Sequence, residues 1–413
     1  MKRIPILSSI FILIYMNASA QHHPIKEILN QNPALFKTVL EAPNQKEVQI
    51  IYTQINRDKN NKAHFKTFSY NLNEEHYFYP ASTVKLPASI FALEKLNELA
   101  IKWLDKSTVM KTGADFGQQT KVEKDTSSIS GEPSIENYIK KILLVSDNDA
   151  FNRIYEFVDR ATINKKLQDY GFQHSKITNR LAIGDGGENA KHTNPIDFYN
   201  KSELIYHKPA AFDPKEYPIK LNNLTRGKAY LDKNDSLINE PFNFSGKNVF
   251  QLADQHELMK RLIFPVSYPK KKQFNLTSLD YDFLYTYMSK YPTESTHPSY
   301  NSPDFYPAYC KFLFYGADSN AVINPNIRIF NKVGDSYGYT IDNMYLIDYK
   351  NHVEFILSAV IQSNDNEIYN DNKYEYQTVC FPFMKNLGEK IYELELDRIK
   401  KNEPNFKSFE KYR

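Results

Sequence analysis

The chain has 413 residues, of which 41% are hydrophobic and 24% are charged. This length suffices for one large domain or two medium ones with a sizeable core, and the composition is that of a globular protein. The formal net charge of +3 is too small to indicate a nucleic-acid partner.

The start of the chain has the pattern of a cleavable export signal over residues 1–20. Lys2 and Arg3 precede a mostly apolar run over residues 4–15, and small residues follow up to Ala20. An apolar run of this length is short for a membrane span. We therefore expect cleavage after Ala20, a periplasmic or secreted location, and no stable membrane anchor.

Hydrophobic periodicity divides the rest of the chain into helices and strands. The predicted order is a helix, two strands, a mostly helical middle, three strands and a final helix. The predicted helices are 24–40, one from residue 84 onward, 136–144, 150–158, 249–263, 279–288 and 381–400. The predicted strands are 48–56, 63–70, 327–332, 340–348 and 353–362.

Strands near both ends of the chain bracket the helical middle. This order predicts an α+β fold, in which an antiparallel β-sheet is flanked by the N- and C-terminal helices and a mostly helical subdomain is inserted between its halves. The predicted parts are the export signal over 1–20, a catalytic domain over 21–400 with its α/β part at 24–80 and 325–400 and its helical part at 82–325, an insertion at 200–247, and a polar tail at 401–413.

Cysteine and histidine usage adds two expectations. Cys310 and Cys380 are the only cysteines, and export would permit a disulfide between them, but their spacing does not decide whether it forms. The ten histidines are scattered apart from His22 and His23. The sequence therefore predicts no metal site and no cofactor.

A Ser-x-x-Lys motif lies at the start of the helix predicted from residue 84. Serine is a poor nucleophile at neutral pH and needs a base. Lys85 follows Ser82 by three residues, so both side chains lie on one helix face. Its amine can act as that base if burial and nearby cations lower its pKa. Because such short patterns occur by chance, the motif alone is not specific.

Two later motifs supply the remaining groups. In a Ser-Asp-Asn motif, Ser146 can relay a proton to a leaving group, Asn148 can bind both Lys85 and a substrate amide, and Asp147 is interpreted as a helix cap. In a Lys-x-Gly motif, Lys332 is placed at the start of a turn. Its charge would lower the pKa of Lys85 and hold a substrate carboxylate. An ordinary turn or a solvated lysine explains either motif alone.

Together and in this order, the three motifs resemble those of the class A β-lactamases and, more broadly, of the penicillin-recognising serine hydrolases. The resemblance extends over residues 24–195 and 248–395, with detailed similarity around the motifs. It implies that Ser82 is acylated, that Lys85 is the acylation base and that Lys332 anchors the substrate carboxylate.

The resemblance also implies how the substrate carbonyl is held. The oxyanion hole would use the backbone N–H groups of Ser82 and Asp335, and Gly334 would let the substrate lie close to that backbone. The insertion at 200–247 has no counterpart in a compact class A enzyme. It either walls the substrate cleft or decorates the surface.

Two departures from the family pattern concern substrate binding and deacylation. Val333 replaces the Ser or Thr whose hydroxyl helps to bind the β-lactam carboxylate. The Glu-x-x-Leu-Asn string, whose Glu activates the deacylating water in class A enzymes, is absent. The corresponding loop carries Asp185 and Glu188, with Asn189 four residues after Asp185. Either carboxylate could position water, and a polar Gly-rich turn without a catalytic role is the alternative.

The sequence thus predicts an active-site serine hydrolase that is acylated at Ser82 and hydrolyses a β-lactam amide, which would confer antibiotic resistance. The alternative is a cell-wall D-peptidase or esterase-like serine hydrolase with weak or no β-lactam turnover, which Val333 and the altered loop favour. A silent binding module is a third hypothesis, and the complete motif set argues against it. We expect a monomer acting on a small-molecule β-lactam or a cell-wall peptide-like substrate.

Overall fold

The computed structural model describes residues 23–42, 45–116, 119–184, 186–301 and 303–413. The predicted export signal and Asp185 lie outside these residues. Within the described part of the chain, no helix combines the length and the apolar character needed to cross a bilayer.

Most helices form where periodicity predicts them, the helix Arg160–Asp169 was not predicted, and the first prediction needs a correction. Over 24–40 the chain forms two helices instead of one. Pro33 disfavours a helical conformation at the residue before it, and Asn32 has φ −122° and ψ 52°. The α-helices of the described residues are α1 (Pro24–Gln31), α2 (Pro33–Glu41), α3 (Lys85–Leu99), α4 (Ile135–Val145), α5 (Asn148–Val158), α6 (Arg160–Asp169), α7 (Leu252–Ile263), α8 (Ser278–Ser289) and α9 (Phe381–Asp397).

The strands include short ones in the middle of the chain besides the predicted long ones. The β-strands of the described residues are β1 (Gln49–Arg57), β2 (Ala63–Tyr70), β3 (Val109–Thr112), β4 (His192–Thr193), β5 (Ile196–Asn200), β6 (Glu203–Lys208), β7 (Ala211–Phe212), β8 (Thr225–Arg226), β9 (Ala229–Leu231), β10 (Leu237–Ile238), β11 (Phe242–Asn243), β12 (Ile327–Ser336), β13 (Tyr339–Asp348), β14 (Val353–Gln362) and β15 (Ile368–Tyr369).

One antiparallel sheet joins the two ends of the chain, in the order β12-β13-β14-β1-β2. Thr53 of β1 lies opposite Ile356 of β14. Helices α1, α2 and α9 cover one face through an apolar cluster that includes Ile25 and Leu387. The other helices and the opposite face form a second cluster, which includes Phe330. The predicted α+β fold is therefore confirmed.

The edge strand β12 corrects the prediction that Lys332 begins a turn. β12 continues to Ser336, and the hairpin turn to β13 consists of Tyr337 and Gly338. Both turn residues have positive φ, 55° and 79°, as a two-residue turn of type I′ requires. The Lys-x-Gly motif and Asp335 therefore lie within the strand, and their side chains alternate between its two faces.

The insertion at 200–247 consists of short strands and connecting loops. Its strand β9 pairs in parallel with β15, outside the main sheet. Phe244 is buried, and its ring lies 6.1 Å from that of Tyr79 and 5.3 Å from that of Tyr337. The insertion therefore packs against the segment that leads into Ser82 and against the turn after the edge strand.

Cys310 and Cys380 are both free and buried. Both belong to the apolar cluster under α9. Burial raises the pKa of the Cys310 thiol to about 11 and that of the Cys380 thiol to about 12. The two thiols are therefore protonated and serve as small core side chains.

Candidate active site

Ser82 lies on a 3-10 turn (Ala81–Val84) that continues directly into α3. The turn starts at Ala81, whose φ of 47° lies in a region that residues with a side chain rarely adopt. Thr83 closes the turn, because its backbone N–H and its hydroxyl donate to the Pro80 carbonyl at 3.1 and 2.7 Å. Ser82 is left half-exposed near the positive end of the α3 dipole.

Gly334 brings the edge strand into contact with this turn. A Cβ atom on Gly334 would lie 2.8 Å from the Ser82 nitrogen, 2.9 Å from the Thr83 nitrogen and 3.0 Å from the Pro80 oxygen. Backbone atoms cannot move aside as a flexible side chain can, so only glycine fits here. The close approach fixes the edge of β12 beside the nucleophile.

Lys85 is fully buried and connects α3 to the turn between α4 and α5. Its Nζ donates to the Ser146 carbonyl at 2.5 Å and to Oδ1 of Asn148 at 2.7 Å, and lies 3.4 Å from Oγ of Ser146. Ser146 ends α4 in a left-handed conformation, and Asp147 caps α5 by accepting from the Ala150 N–H at 2.7 Å. The cap holds Ser146 and Asn148 at the lysine amine.

Lys332 approaches the same hydroxyl from the sheet side. Its Nζ donates to Oγ of Ser146 at 2.8 Å and to the Val333 carbonyl at 2.8 Å. The Lys332 side chain is buried. The Ser146 hydroxyl therefore lies between two lysine amines, one from α3 and one from β12.

Electrostatics favour a neutral amine on Lys85. Burial lowers its pKa well below the usual range, and the charge of Lys332 lowers it further. Burial also lowers the pKa of Lys332, to about 8. A neutral amine has two N–H groups and one lone pair. The two short bonds to Ser146 and Asn148 use both N–H groups, and the lone pair is free to accept a hydroxyl proton.

Asp335 follows Gly334 on the edge strand, and its side chain is exposed. Its backbone N–H is the second predicted donor of the oxyanion hole, and that role stays a prediction. The motif residues Lys85, Ser146, Asn148 and Lys332 form one hydrogen-bonded cluster, which Gly334 places next to Ser82.

The predicted deacylation carboxylates are not part of this cluster. Asp185 lies outside the described residues. The Glu188 side chain is 63% exposed, with its oxygens 3.3 Å from Nζ of Lys191 and 4.0 Å from Nε2 of His192. Among its described contacts, none joins Glu188 to Ser82 or Lys85. Its role in positioning water remains a prediction.

The Gly-rich loop before β4 is held from inside by residues that sequence reasoning missed. Glu156 on α5 is fully buried and accepts from Nη1 of Arg180 at 2.5 Å and from the N–H of Asn194. Arg180 also donates to the carbonyl of Asn189 at 2.9 Å. The sequence did contain a signal for this pair, because Glu156 lies within the apolar pattern of α5. An unpaired buried carboxylate costs free energy, so a glutamate in such a pattern predicts a buried partner.

The described residues contain no group of three or more His, Cys, Asp or Glu that could hold a metal ion. The cluster around Ser82 has the groups needed for acid–base chemistry. It combines an accessible serine hydroxyl, a buried amine with a lowered pKa and a second hydroxyl that can carry a proton. These are the components of a serine hydrolase.

The family model described as the Beta-lactamase enzyme family matches residues 34–379. Since the match spans most of the chain, this protein belongs to that family and is a serine hydrolase. A comparison with curated protein sequences gave no match.

Solved structures similar to this chain include several β-lactamases. The protein from Xanthomonas campestris pv. campestris is 10% identical, with a TM-score of 0.48 over 88% of this chain and 98% of that chain. The protein from Streptomyces albus G has the same four values. The protein from Streptosporangium roseum is 12% identical, with a TM-score of 0.46 over 89% and 99%. Identities this low do not transfer a substrate.

Proposed function

We propose that this protein is a class A-like β-lactamase that forms an acyl-enzyme at Ser82 and hydrolyses the amide bond of a β-lactam. The observation that carries the proposal is the position of the Ser146 hydroxyl, 2.8 Å from Nζ of Lys332 and 3.4 Å from Nζ of Lys85. A hydroxyl between two amines of lowered pKa can receive a proton from one side and donate its own to a substrate.

Acylation begins when Oγ of Ser82 attacks the β-lactam carbonyl carbon and its proton passes to the neutral amine of Lys85. The developing oxyanion accepts hydrogen bonds from the backbone N–H groups of Ser82 and Asp335. As the C–N bond breaks, the ring nitrogen takes the hydroxyl proton of Ser146. Ser146 regains a proton from the ammonium of Lys85, which leaves Lys85 neutral and Ser82 esterified.

Deacylation requires a water molecule that attacks the ester carbonyl and loses a proton, while Oγ of Ser82 leaves and is protonated again. Asp185 and Glu188 are the two loop carboxylates considered for positioning this water, and the exposure of Glu188 argues against a large role for that residue. Because the carboxylate of Glu188 contacts Lys191 and His192, we expect deacylation to be slower than acylation.

The test combines turnover with intact-mass measurement. The protein should hydrolyse a chromogenic cephalosporin, and incubation with benzylpenicillin should add the mass of one penicillin to a peptide containing Ser82. Ser82→Ala should abolish both signals, whereas Ser236→Ala, a change of an exposed serine in the insertion, should preserve them. If the wild-type protein shows neither turnover nor a mass shift, the proposal is wrong.

A cell-wall D-peptidase or esterase with weak β-lactam turnover is the second candidate function. The exposure of Glu188 and the burial of Val333 in the core favour it, because both weaken the chemistry specific to β-lactam hydrolysis. It predicts a penicillin adduct that persists for hours, together with release of D-alanine from a peptide ending in D-Ala-D-Ala. Rapid loss of the adduct would favour the β-lactamase instead.

The pattern of residues 1–20 supports export to the periplasm or the medium. In the periplasm, the protein would confer antibiotic resistance, and we propose that it acts there as a monomer. N-terminal sequencing of the exported protein should begin at Gln21. Expression in a susceptible host should raise its tolerance to penicillin, and the Ser82→Ala variant should not. A mature protein that still carries residues 1–20 would contradict the export proposal.

A further inference from the structure

The two faces of the edge strand β12 carry different groups beside the nucleophile. Lys332 and Gly334 are directed toward Ser146 and Ser82, as their contacts show. Because side chains alternate along a strand, Val333 and Asp335 point to the other face. Val333 is 2% exposed and packs in the apolar cluster under α9, whereas Asp335 is exposed at the end of that face.

The carboxylate of Asp335 has no partner among the described residues, since it forms neither an ion pair nor a hydrogen bond with any of them. The neighbouring cations are buried, and their amines have other acceptors: Lys332 donates to Ser146 and Val333, and Lys85 to Ser146 and Asn148. Partial loss of hydration raises the pKa of Asp335, and the charges of the two lysines oppose that rise. A negative charge thus stands unpaired at the edge of the site.

Two half-exposed tyrosines lie on the same face. Their segment is tied to β12 because Nδ2 of Asn331 donates to the Cys310 carbonyl at 2.8 Å. Tyr306 and Tyr309 pack against the apolar cluster that contains Val333, with their ring centroids 5.5 Å apart and edge-to-face. Burial raises the pKa of both phenols, and nearby acidic groups, Asp335 among them, raise it further.

We propose that Asp335, Tyr306 and Tyr309 form a subsite for a positively charged group of the substrate, such as an ammonium or quaternary ammonium. A carboxylate attracts a cation directly, and the faces of aromatic rings attract it through their quadrupoles. The inference rests on the proposed acylation of Ser82. It concerns a side group of the substrate: among β-lactams and other esters or amides, those that carry a positive charge at this subsite are preferred.

The test uses two activated esters of nearly equal shape. In p-nitrophenyl 4-(trimethylammonio)butanoate and p-nitrophenyl 5,5-dimethylhexanoate, only the charge of the terminal group differs. Attack by Oγ of Ser82 breaks the ester C–O bond and releases p-nitrophenolate, which is measured by absorbance. After division by the rates of spontaneous hydrolysis, we expect the cationic ester to react about tenfold faster than its neutral counterpart.

Three variants test whether a preference for the cationic ester comes from this subsite or from the overall charge of the protein. Asp335→Asn retains the backbone N–H, and it should bring the ratio of the two rates close to one. Tyr309→Leu should reduce the ratio in part. Glu203→Gln, which removes an exposed carboxylate on β6, should leave the ratio unchanged.

Two outcomes would overturn the inference in distinguishable ways. Equal corrected rates for the two esters in the wild-type protein, or a ratio that Asp335→Asn does not change, would refute the subsite while leaving acylation of Ser82 intact. If neither ester reacts faster with the wild-type protein than with Ser82→Ala, the proposed acylation itself is wrong, and the subsite fails with it.

Discussion

The cluster around Ser82 and the Gly-rich loop before β4 are built in different ways. Around Ser82, the amines of Lys85 and Lys332 come from a helix and a strand, and both donate to groups of Ser146. In the loop, the buried contacts belong to Glu156 and Arg180, while Glu188 is exposed. The spacing of a motif therefore predicts where a side chain points when the residue lies on a helix or strand. It does not predict this for a residue on a loop.

The physical reason is that a helix or a strand fixes the direction of each side chain relative to its neighbours in sequence. Three residues along a helix bring two side chains to one face, and one residue along a strand moves a side chain to the opposite face. A Gly-rich loop has no such period, so the four-residue separation of Asp185 and Asn189 does not specify a direction. The loop is positioned instead by the buried ion pair between Glu156 and Arg180.

The largest effect that would test this contrast is expected at Lys85. Lys85→Met keeps the length and apolar stem of the side chain but removes the amine, so Ser82 loses its proposed base. We expect the rate of acylation by benzylpenicillin to fall about a thousandfold, measured by the appearance of the adduct mass. Lys95→Met, a matched change on the same helix, should alter the acylation rate less than threefold. A similar loss in both variants would mean that Lys85 acts only through the fold.

The contact between the edge strand and the nucleophile gives the next largest effect. Gly334→Ala would place a methyl group 2.8 Å from the Ser82 nitrogen, which should cost about 1–3 kcal/mol of unfolding free energy and lower acylation at least tenfold. Gly186→Ala in the loop meets no atom within 4 Å and should change the unfolding free energy by less than about 0.5 kcal/mol. Thermal unfolding and acylation rates of both variants test this, and equal effects would contradict it.

The pH dependence of acylation distinguishes the roles of the two lysines, Lys85 and Lys332. Burial and the charge of Lys332 lower the pKa of Lys85 well below its usual range, which favours the neutral, active form of its amine. Lys332 has a pKa of about 8, so it is charged below that pH and neutral above it. The acylation rate with penicillin should therefore be level near pH 7 and decrease above about pH 8. In Lys332→Arg the decrease should move to higher pH, because arginine stays protonated; an unchanged profile would exclude Lys332 as its cause.

The smallest effect is expected at Glu188. If its ion pair with Lys191 holds its carboxylate at the surface, Glu188→Gln should change the rate of loss of the penicillin adduct less than twofold. The matched control is Glu216→Gln, which removes the other carboxylate that contacts Lys191, at 2.6 Å. A large decrease in deacylation for Glu188→Gln alone would show that the loop supplies the water-activating carboxylate after all.

The sequence by itself determined the regular part of this protein. Period-2 and helical patterns predicted the strands of the main sheet and most helices within a few residues, because each element buries one apolar face. Helix spacing placed Ser82 and Lys85 on one face, whereas the order of the three motifs and the family resemblance selected Ser146 and Lys332. The break between α1 and α2 results from Pro33. The proline was visible in the sequence, but the continuous apolar pattern over 24–40 led to the prediction of a single helix.

Only the tertiary structure decided how distant parts of the chain meet. The packing of β12 against the turn at Ser82 brings Lys332 to Ser146, and no local pattern encodes that distance. The same packing extends β12 beyond Lys332 and leaves the carboxylate of Asp335 exposed beside the site. It also buries Glu156 with Arg180 and leaves Glu188 in solvent, because burial of a charge depends on a partner that the fold supplies from elsewhere in the chain.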